Sequence, residues 1–203
     1  LFPILMHLTS PRLQSLSIEA SSWVTFGYTI RVLLSSTIAQ SHLARLDLNL
    51  SYRDLDMLSW PPLPVTLKYL RLERCTFQEY CMIIRHTINL KEFALGECII
   101  YNADGTMYQP SQPISSPNIT SFSFGPCFRR MKELLLILSF LPKLTHLKLI
   151  LWTDFTDSVI DGSQWERFIT DNLPSLKRFE FFFDDLTFLE GHTFDFEFYL
   201  QSF

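Results

Sequence analysis

Glycine and histidine are scarce in this chain, with six and five copies in 203 residues. The glycines form neither a phosphate-binding loop nor a dinucleotide-binding fingerprint, and the histidines show no spacing typical of metal ligands. Net charge is also small, because 17 Lys and Arg oppose 21 Asp and Glu and leave a charge of -4. Strong electrostatic capture of nucleic acid or of an anionic membrane is therefore not expected.

Long apolar runs are lacking too. The longest apolar stretch, Leu134–Leu138 with Phe140 and Leu141 beyond, is far shorter than the roughly 20 residues that a membrane-spanning helix needs. Hydrophobic residues nevertheless make up 47% of the chain and charged residues 19%, which suits a folded core. We expect a folded chain with no membrane segment and with a protein or peptide as its partner. Because the chain begins with Leu1 rather than Met, we also expect it to be a fragment of a longer protein.

One short apolar phrase occurs seven times. It has the form Leu-x-x-Leu-x-Leu, with Ile or Phe at some positions, and it begins at Leu13, Leu43, Leu67, Leu90, Ile119, Leu144 and Leu176. Successive copies begin 23 to 32 residues apart, close to the ~20–29 residues of leucine-rich repeats. The alternation that ends each phrase predicts a short strand with one buried face.

This repetition predicts the fold class and the domain organisation. We expect a single α/β domain over 1–203, a leucine-rich-repeat solenoid of about seven repeats. Its shape would be an open, curved horseshoe, with a parallel sheet on the concave face and helices and loops on the convex face.

Four segments between the phrases carry helical spacing. They are Ile30–Ile38, Phe77–Ile88, Phe128–Leu138 and Trp165–Leu173. A capping box, in which a Ser or Thr and a Glu three residues later bond each other's backbone N–H, is predicted at Thr76 with Glu79 and at Ser163 with Glu166.

Three other segments depart from this pattern. Prolines at 61, 62 and 64 hold segment 51–66 extended and predict a tight return. Segment 99–117 is polar and contains Asp104-Gly105 and three prolines, which predicts a loop inserted after the fourth phrase. A tolerated mobile insertion and a partner-binding loop both fit it. Alternation within 187–203 predicts either a C-terminal cap or a further repeat.

Three of the four cysteines, Cys75, Cys98 and Cys127, follow the last apolar residue of their phrases by three positions. This is the Asn-or-Cys position of the leucine-rich consensus, where a small side chain fills the corner at the end of the strand. Neighbouring parallel strands lie about 4.8 Å apart, but in-register side chains point the same way rather than at each other. We therefore expect reduced thiols rather than a disulfide or a metal site, and a cytoplasmic or nuclear location.

Nucleophilic catalysis has little support. Cys81 and His86 are the thiol and imidazole nearest in sequence, but five helical residues place them roughly 140° apart around the helix axis. We expect Cys81 in the core and His86 at the surface. Asp154, Asp157 and Asp161 lack the ligand alternation and central Gly of a calcium loop. The chain is predicted to be no enzyme and to bind no cofactor and no metal.

The strand residues that alternate with the apolar ones form the predicted binding face for a protein partner. The partner-binding candidates are Arg45, Asp47, Tyr69, Arg71, Glu73, Glu92, His146, Lys148, Arg178 and Glu180. Tyr69, Arg71 and Arg178 are the preferred anchors, because Tyr and Arg are enriched at binding hot spots. An ordinary solvated surface is the alternative. A small, flat patch of Ala94, Gly96, Ser121, Ser123 and Gly125 is predicted between the charged groups.

Two kinds of segment carry a family resemblance. Leu67-Lys-Tyr-Leu-Arg-Leu-Glu-Arg-Cys75 and Leu90-Lys-Glu-Phe-Ala-Leu-Gly-Glu-Cys98 resemble the cysteine-containing leucine-rich repeats of F-box proteins. Asp161-Gly-Ser-Gln-Trp-Glu-Arg-Phe-Ile169, followed by Leu173-Pro-Ser-Leu-Lys-Arg-Phe179, looks like the C-terminal part of F-box-type proteins.

The resemblance implies a function. The chain would be the substrate-binding part of a modular ubiquitin ligase. It would hold a protein target on its concave face and would catalyse no reaction itself. The ligase adaptor would bind an F-box outside this chain, since no F-box is visible within it. The alternative is a stand-alone leucine-rich-repeat interaction or inhibitor protein without ligase association.

Overall fold

A computed structural model describes residues 13–20, 42–50, 63–101, 105–106, 118–125, 131–152 and 162–184. These residues form an α/β structure with one seven-stranded parallel sheet and three helices. The strands are β1 (Ser15–Ala20), β2 (Arg45–Leu50), β3 (Tyr69–Thr76), β4 (Glu92–Ile99), β5 (Ser121–Phe124), β6 (His146–Trp152) and β7 (Arg178–Asp184). The helices are α1 (Phe77–His86), α2 (Met131–Leu138) and α3 (Gly162–Asn172).

The order of the strands in the sheet is their order in the chain, β1 to β7. All six neighbouring pairs are parallel, so the predicted parallel stacking of the seven phrases is confirmed. Each stretch of chain between two strands therefore brings the next phrase to the edge that the previous phrase has just formed. This is how a single repeated phrase builds one continuous sheet.

Every phrase joins the sheet through the same backbone hydrogen bonds. The Lys68 carbonyl, for example, accepts N–H bonds from Lys91 at 2.9 Å and from Glu92 at 3.0 Å. The carbonyls that accept such a pair are those of Gln14, Ala44, Lys68, Lys91, Thr120 and Thr145, one at each strand-to-strand step. Equivalent residues of neighbouring phrases therefore lie side by side across the whole sheet.

The apolar positions of the phrases form the core. The first residues of five phrases, Leu43, Leu67, Leu90, Ile119 and Leu144, are fully buried. At the centre of the sheet the core becomes aromatic, because Phe122 lies 5.7 Å from Phe93 and 5.6 Å from Phe124, measured between ring centroids. Stacking of like side chains between neighbours provides the burial that no single phrase can supply alone.

The described helices pack on this apolar side of the sheet. In α1 the Tyr80 ring is stacked 6.0 Å from Phe93, and its hydroxyl donates a hydrogen bond to the carbonyl of Ile137 in α2 at 2.9 Å. Burial, with smaller contributions from neighbouring thiols, raises the pKa of Tyr80 well above its ordinary value and keeps this hydroxyl protonated. In α3 the Trp165 ring lies 5.1 Å from Phe179 of β7. None of the described helices is long and apolar enough to cross a lipid bilayer.

Helix α1 begins as the sequence predicts. Thr76 Oγ1 accepts a hydrogen bond from the Glu79 N–H at 3.2 Å, and the Thr76 N–H donates to the Glu79 carboxylate at 2.7 Å. The predicted capping box is therefore confirmed. The prediction that Ile88 belongs to the apolar face of this helix is wrong. Ile88 lies beyond the last helical residue, His86, and is 58% exposed, because the helix ends with its C-cap at Thr87.

The capping box predicted at Ser163 is also misplaced. Helix α3 begins at Gly162, so Ser163 is already a helical residue rather than the residue that precedes the helix. The helical spacing itself is confirmed for α3, where Trp165 is buried, and for α2, where Leu134 and Leu138 are buried. The helix predicted over 30–38 lies outside the described residues.

Segment 99–117 starts differently from the prediction. Ile99 is the last residue of β4 rather than the first of a loop, and Ile100 is buried. Tyr101 then donates a hydrogen bond to the Glu133 carboxylate at 2.6 Å, which ties the start of this segment to α2. Apart from Gly105 and Thr106, the rest of the segment lies outside the described residues. The same holds for 51–62, which contains most of the proline-rich return, and for the predicted cap or repeat over 187–203.

Removal of the cap on α1 gives the first test of this structure. Thr76→Ala should lower the free energy of unfolding by about 1 kcal/mol, because it leaves a first-turn N–H without its acceptor. Thr76→Ser keeps the hydroxyl and should stay close to the wild type in urea unfolding. If the Ser variant lost as much as the Ala variant, the methyl group of Thr76 rather than its hydrogen bond would be the stabilising part.

Candidate functional site

The face of the sheet opposite the helices is lined by the strand residues that alternate with the core. All ten sequence-predicted partner-binding residues lie on this face. They belong to β2, β3, β4, β6 and β7, and we call this surface the polar face. The strand register arranges the residues of the polar face in rows that run across the strands. One row crosses all seven strands and consists of Ser15, Arg45, Tyr69, Glu92, Ser121, His146 and Arg178.

Side chains of β2 and β3 contact each other across the polar face. The Arg45 guanidinium carbon lies 3.6 Å from the centroid of the Tyr69 ring, a cation–π contact between directly paired residues. In the next row the Arg71 Nε lies 3.9 Å from the Asp47 carboxylate. Two predicted anchors, Tyr69 and Arg71, are thus held by lateral contacts while Arg71 keeps 51% of its side chain exposed.

A second group of contacts joins β6 and β7. The Glu180 carboxylate lies 3.2 Å from His146 Nε2 and also forms an ion pair with Arg178. Lys148 lies over the Phe182 ring, with 4.5 Å between its Nζ and the ring centroid. The single carboxylate of this group is therefore shared between two basic residues, and the third predicted anchor, Arg178, remains 60% exposed.

Between these two groups the polar face contains a depression of about 500 Å³, which we call the central depression. The small residues Ala94, Gly96, Ser121, Ser123 and Gly125 form its floor. Its walls include Tyr69, Arg71, Glu73 and Glu92 on one side and Ile150 on the other. The small patch predicted from the sequence is therefore present, but it is concave rather than flat, because large side chains border it.

Two glycines account for the depth of the floor. A Cβ on Gly96 would lie 2.4 Å from the carbonyl oxygen of Glu73, and a Cβ on Gly125 would lie 2.8 Å from the Cα of Gly96. No side chain has room at either position without movement of the neighbouring backbone. The depression thus depends on close approach of β3, β4 and the residue that follows β5.

Glu73 and Glu92 differ from the other charged residues of the polar face. Both are exposed carboxylates, and in the described part of the chain neither forms an ion pair. Asp47 and Glu180, by contrast, both lie against basic residues. Unpaired negative charge is therefore concentrated on the β3–β4 side of the central depression.

Cys81 and His86, the thiol and imidazole nearest in sequence, lie on α1, apart from this face. On the face itself His146 Nδ1 lies 3.5 Å from Ser121 Oγ, and His146 Nε2 lies 3.2 Å from the Glu180 carboxylate. Cys81 is buried, and that burial raises the pKa of its thiol to about 11, so the thiolate that would act as a nucleophile is almost absent at neutral pH. His86 is exposed, as expected.

Cys75 and Cys98 are paired in register and buried, and they are not joined in a disulfide. Among the described residues no three His, Cys, Asp or Glu side chains are grouped as a metal site would require.

The sequence-predicted site omits the residues that shape the central depression. Gly96, Gly125 and Ile150 were not among the partner-binding candidates, since glycine and isoleucine are not typical binding anchors. The run of small residues at the outward positions of two successive phrases, Ala94 with Gly96 and Ser123 with Gly125, places both glycines in the predicted flat patch. It indicates neither Ile150 nor the concave shape.

Comparison of the chain with protein-family models, with curated proteins and with solved structures finds no match.

Proposed function

We propose that this chain is a protein-recognition scaffold of the leucine-rich-repeat type and that its polar face binds a protein target. The observation that carries the proposal is the uniform register of seven parallel phrases. This register places the apolar positions of the phrases on the side of the sheet where the described helices pack, and the intervening positions on the opposite side. Stacked repeats of this kind build extended surfaces for binding.

The dimensions of the polar face suit a macromolecule. Six strand-to-strand steps of ~4.8 Å make the face about 29 Å wide, which is enough for a helix, a loop or an extended segment of a partner. Its lateral contacts, such as Arg45 on Tyr69 and Arg71 beside Asp47, limit the side-chain freedom that binding would otherwise remove. Preorganisation of this type lowers the entropic cost of association.

The more specific proposal is that the scaffold is the substrate-binding part of an F-box-type ubiquitin-ligase receptor. It is supported by the resemblance of the phrases that end in Cys75 and Cys98 to the cysteine-containing repeats of F-box proteins. Both cysteines are buried where their strands end or nearly end, and they are paired across β3 and β4. Such a position suits a small residue that fills a corner of the repeat.

Affinity purification of the full-length protein with quantitative mass spectrometry tests both levels of the proposal. The variant Arg71→Ala with Lys148→Ala removes two cations from the polar face. The variant Lys132→Ala with Arg167→Ala removes two exposed cations from α2 and α3 and serves as the matched control. A true target should bind the wild type and the control but lose at least about tenfold affinity for the polar-face variant, as truncation of hot-spot residues does.

The outcomes separate the two levels. Co-purification of a cullin-type complex with all three proteins supports the ligase proposal, because the adaptor would contact a segment outside this chain. A face-dependent target without any ligase subunit would reject the ligase proposal and keep the scaffold. If no protein distinguished the polar-face variant from the control, in capture or with purified partners, the recognition function itself would be rejected.

A further inference from the structure

The central depression combines a concave shape with negative charge that forms no ion pair within the described residues. We propose that it receives a basic side chain, Lys or Arg, from the protein target, with Glu73 and Glu92 as the pairing carboxylates. This inference rests on the proposed recognition function and specifies the chemistry of the partner.

The charge distribution selects the sign of the incoming group. The depression is lined by one cation, Arg71, and by two carboxylates, Glu73 and Glu92. Arg71 already lies beside Asp47, at 3.9 Å, whereas the two glutamates form no ion pair within the described residues. A cation that enters the depression therefore gains two carboxylate partners, while an anion would meet those two carboxylates and a single shared guanidinium.

The contrast with the β6–β7 side supports the same choice. There the Glu180 carboxylate is already occupied by His146 and Arg178, and Lys148 lies over an aromatic ring. The Glu180 carboxylate is therefore already paired within the protein. By contrast, the two glutamates that line the central depression form no ion pair within the described residues and are available to a partner's cation.

The shape of the depression suits a long side chain with a charged end. Its floor is backbone and small side chains, so an aliphatic stem can lie against Ala94. The Glu73 carboxyl carbon lies 3.2 Å from the position of a Cβ built on Gly96, so this carboxylate reaches over the floor toward the charged end of such a side chain. Ile150 on one wall and the Tyr69 ring on the other provide apolar contacts for that stem. Lys and Arg bury such stems along apolar surface while their charged ends stay at a polar rim.

Nuclear magnetic resonance titration tests this inference on the 203-residue chain labelled with nitrogen-15. The probes are the N-acetyl amides of arginine, lysine, norleucine and glutamate, of which norleucine matches the lysine stem without its charge. The arginine or lysine probe should cause saturable shifts of the Gly96 and Gly125 amide signals. The norleucine and glutamate probes should cause shifts at least about fivefold smaller at equal concentration, since two partly exposed ion pairs contribute that much binding energy.

Charge-neutral variants provide the specificity control. Glu73→Gln with Glu92→Gln should weaken binding of the basic probe by about fivefold. Glu166→Gln with Asp171→Asn removes the same charge from the exposed surface of α3 and should leave binding unchanged. Equal binding of norleucine, stronger binding of glutamate, or no effect of the Glu73 and Glu92 changes would each overturn the inference.

The same variants, used in the affinity purification above, separate this inference from the proposed function. A contrary result would be a target that binds the Glu73→Gln with Glu92→Gln variant and fails to bind the Arg71→Ala with Lys148→Ala variant. That result would reject the proposal that a basic side chain enters the central depression, and it would leave the proposed recognition function intact. Loss of the target in both face variants, but not in the α3 control, is the result we expect.

Discussion

Replacement of Phe122 by Ala should lower the free energy of unfolding by about 3–5 kcal/mol. Phe122 is 1% exposed at the centre of the aromatic core, where its ring lies 5.7 Å from Phe93, 5.6 Å from Phe124 and 6.4 Å from Tyr80. The truncation removes the buried ring and leaves a cavity between β4, β5 and α1 that these large neighbours cannot fill without leaving their own contacts.

Ser123→Ala is the matched control for this prediction, because Ser123 is the next residue of the same strand and lies on the polar face. Its free energy of unfolding should stay within about 0.5 kcal/mol of the wild type. Urea unfolding followed by circular dichroism measures both variants. Equal losses for the two would mean that alternation along β5 does not separate core from surface, which would remove the basis of the polar face.

Substitution of Gly96 by Ala is expected to have the second large effect, a loss of about 1–3 kcal/mol from overpacking. The new methyl carbon would lie 2.4 Å from the Glu73 carbonyl oxygen and 3.1 Å from its carbonyl carbon. The obstructing atoms are backbone of the neighbouring strand β3, so they can give way only if the strand pairing itself shifts. Gly125→Ala should act in the same direction, because its nearest contacts are backbone atoms of Gly96.

Gly162→Ala separates this steric effect from the general cost of changing a glycine. Among the described residues, no atom outside its chain neighbours and the backbone of its own helix lies within 4 Å of a Cβ built on Gly162, in α3. That variant should be as stable as the wild type or up to about 1 kcal/mol more stable, since alanine restricts the unfolded chain. A destabilisation of Gly162→Ala as large as that of Gly96→Ala would show that close approach of the strands is not the cause.

Apart from the parallel stacking of the repeated phrases, the features that sequence reasoning predicts correctly are local. Alternation in each phrase assigns Leu46 to the core and Asp47 to the opposite face, because side chains of a strand point to alternate sides whatever the strand is paired with. The capping box at Thr76 is equally local, since it needs only two residues three positions apart. The misplaced box at Ser163 shows the limit of such a motif, because where a helix begins also depends on how its apolar side packs.

Contacts between distant residues were not predictable in the same way. Tyr80 and the Ile137 carbonyl are 57 residues apart, and their hydrogen bond depends on how α1 and α2 come together over the sheet. The sequence likewise nominates Arg45, Tyr69, Arg71 and Glu180 as surface residues without indicating which of them pair. Only the register across neighbouring strands decides that Arg45 covers Tyr69 and that His146 of β6 lies beside Glu180 of β7.

By itself, the sequence determined that seven similar phrases form parallel strands with one apolar and one polar side, because each phrase repeats the same alternation and none can bury its apolar side alone. The tertiary structure alone decided where the polar face becomes concave and which of its charges remain unpaired. Both properties arise from atoms on different strands, the Glu73 carbonyl against Gly96 and Arg71 beside Asp47. Their distances are set by strand pairing rather than by any one stretch of the chain.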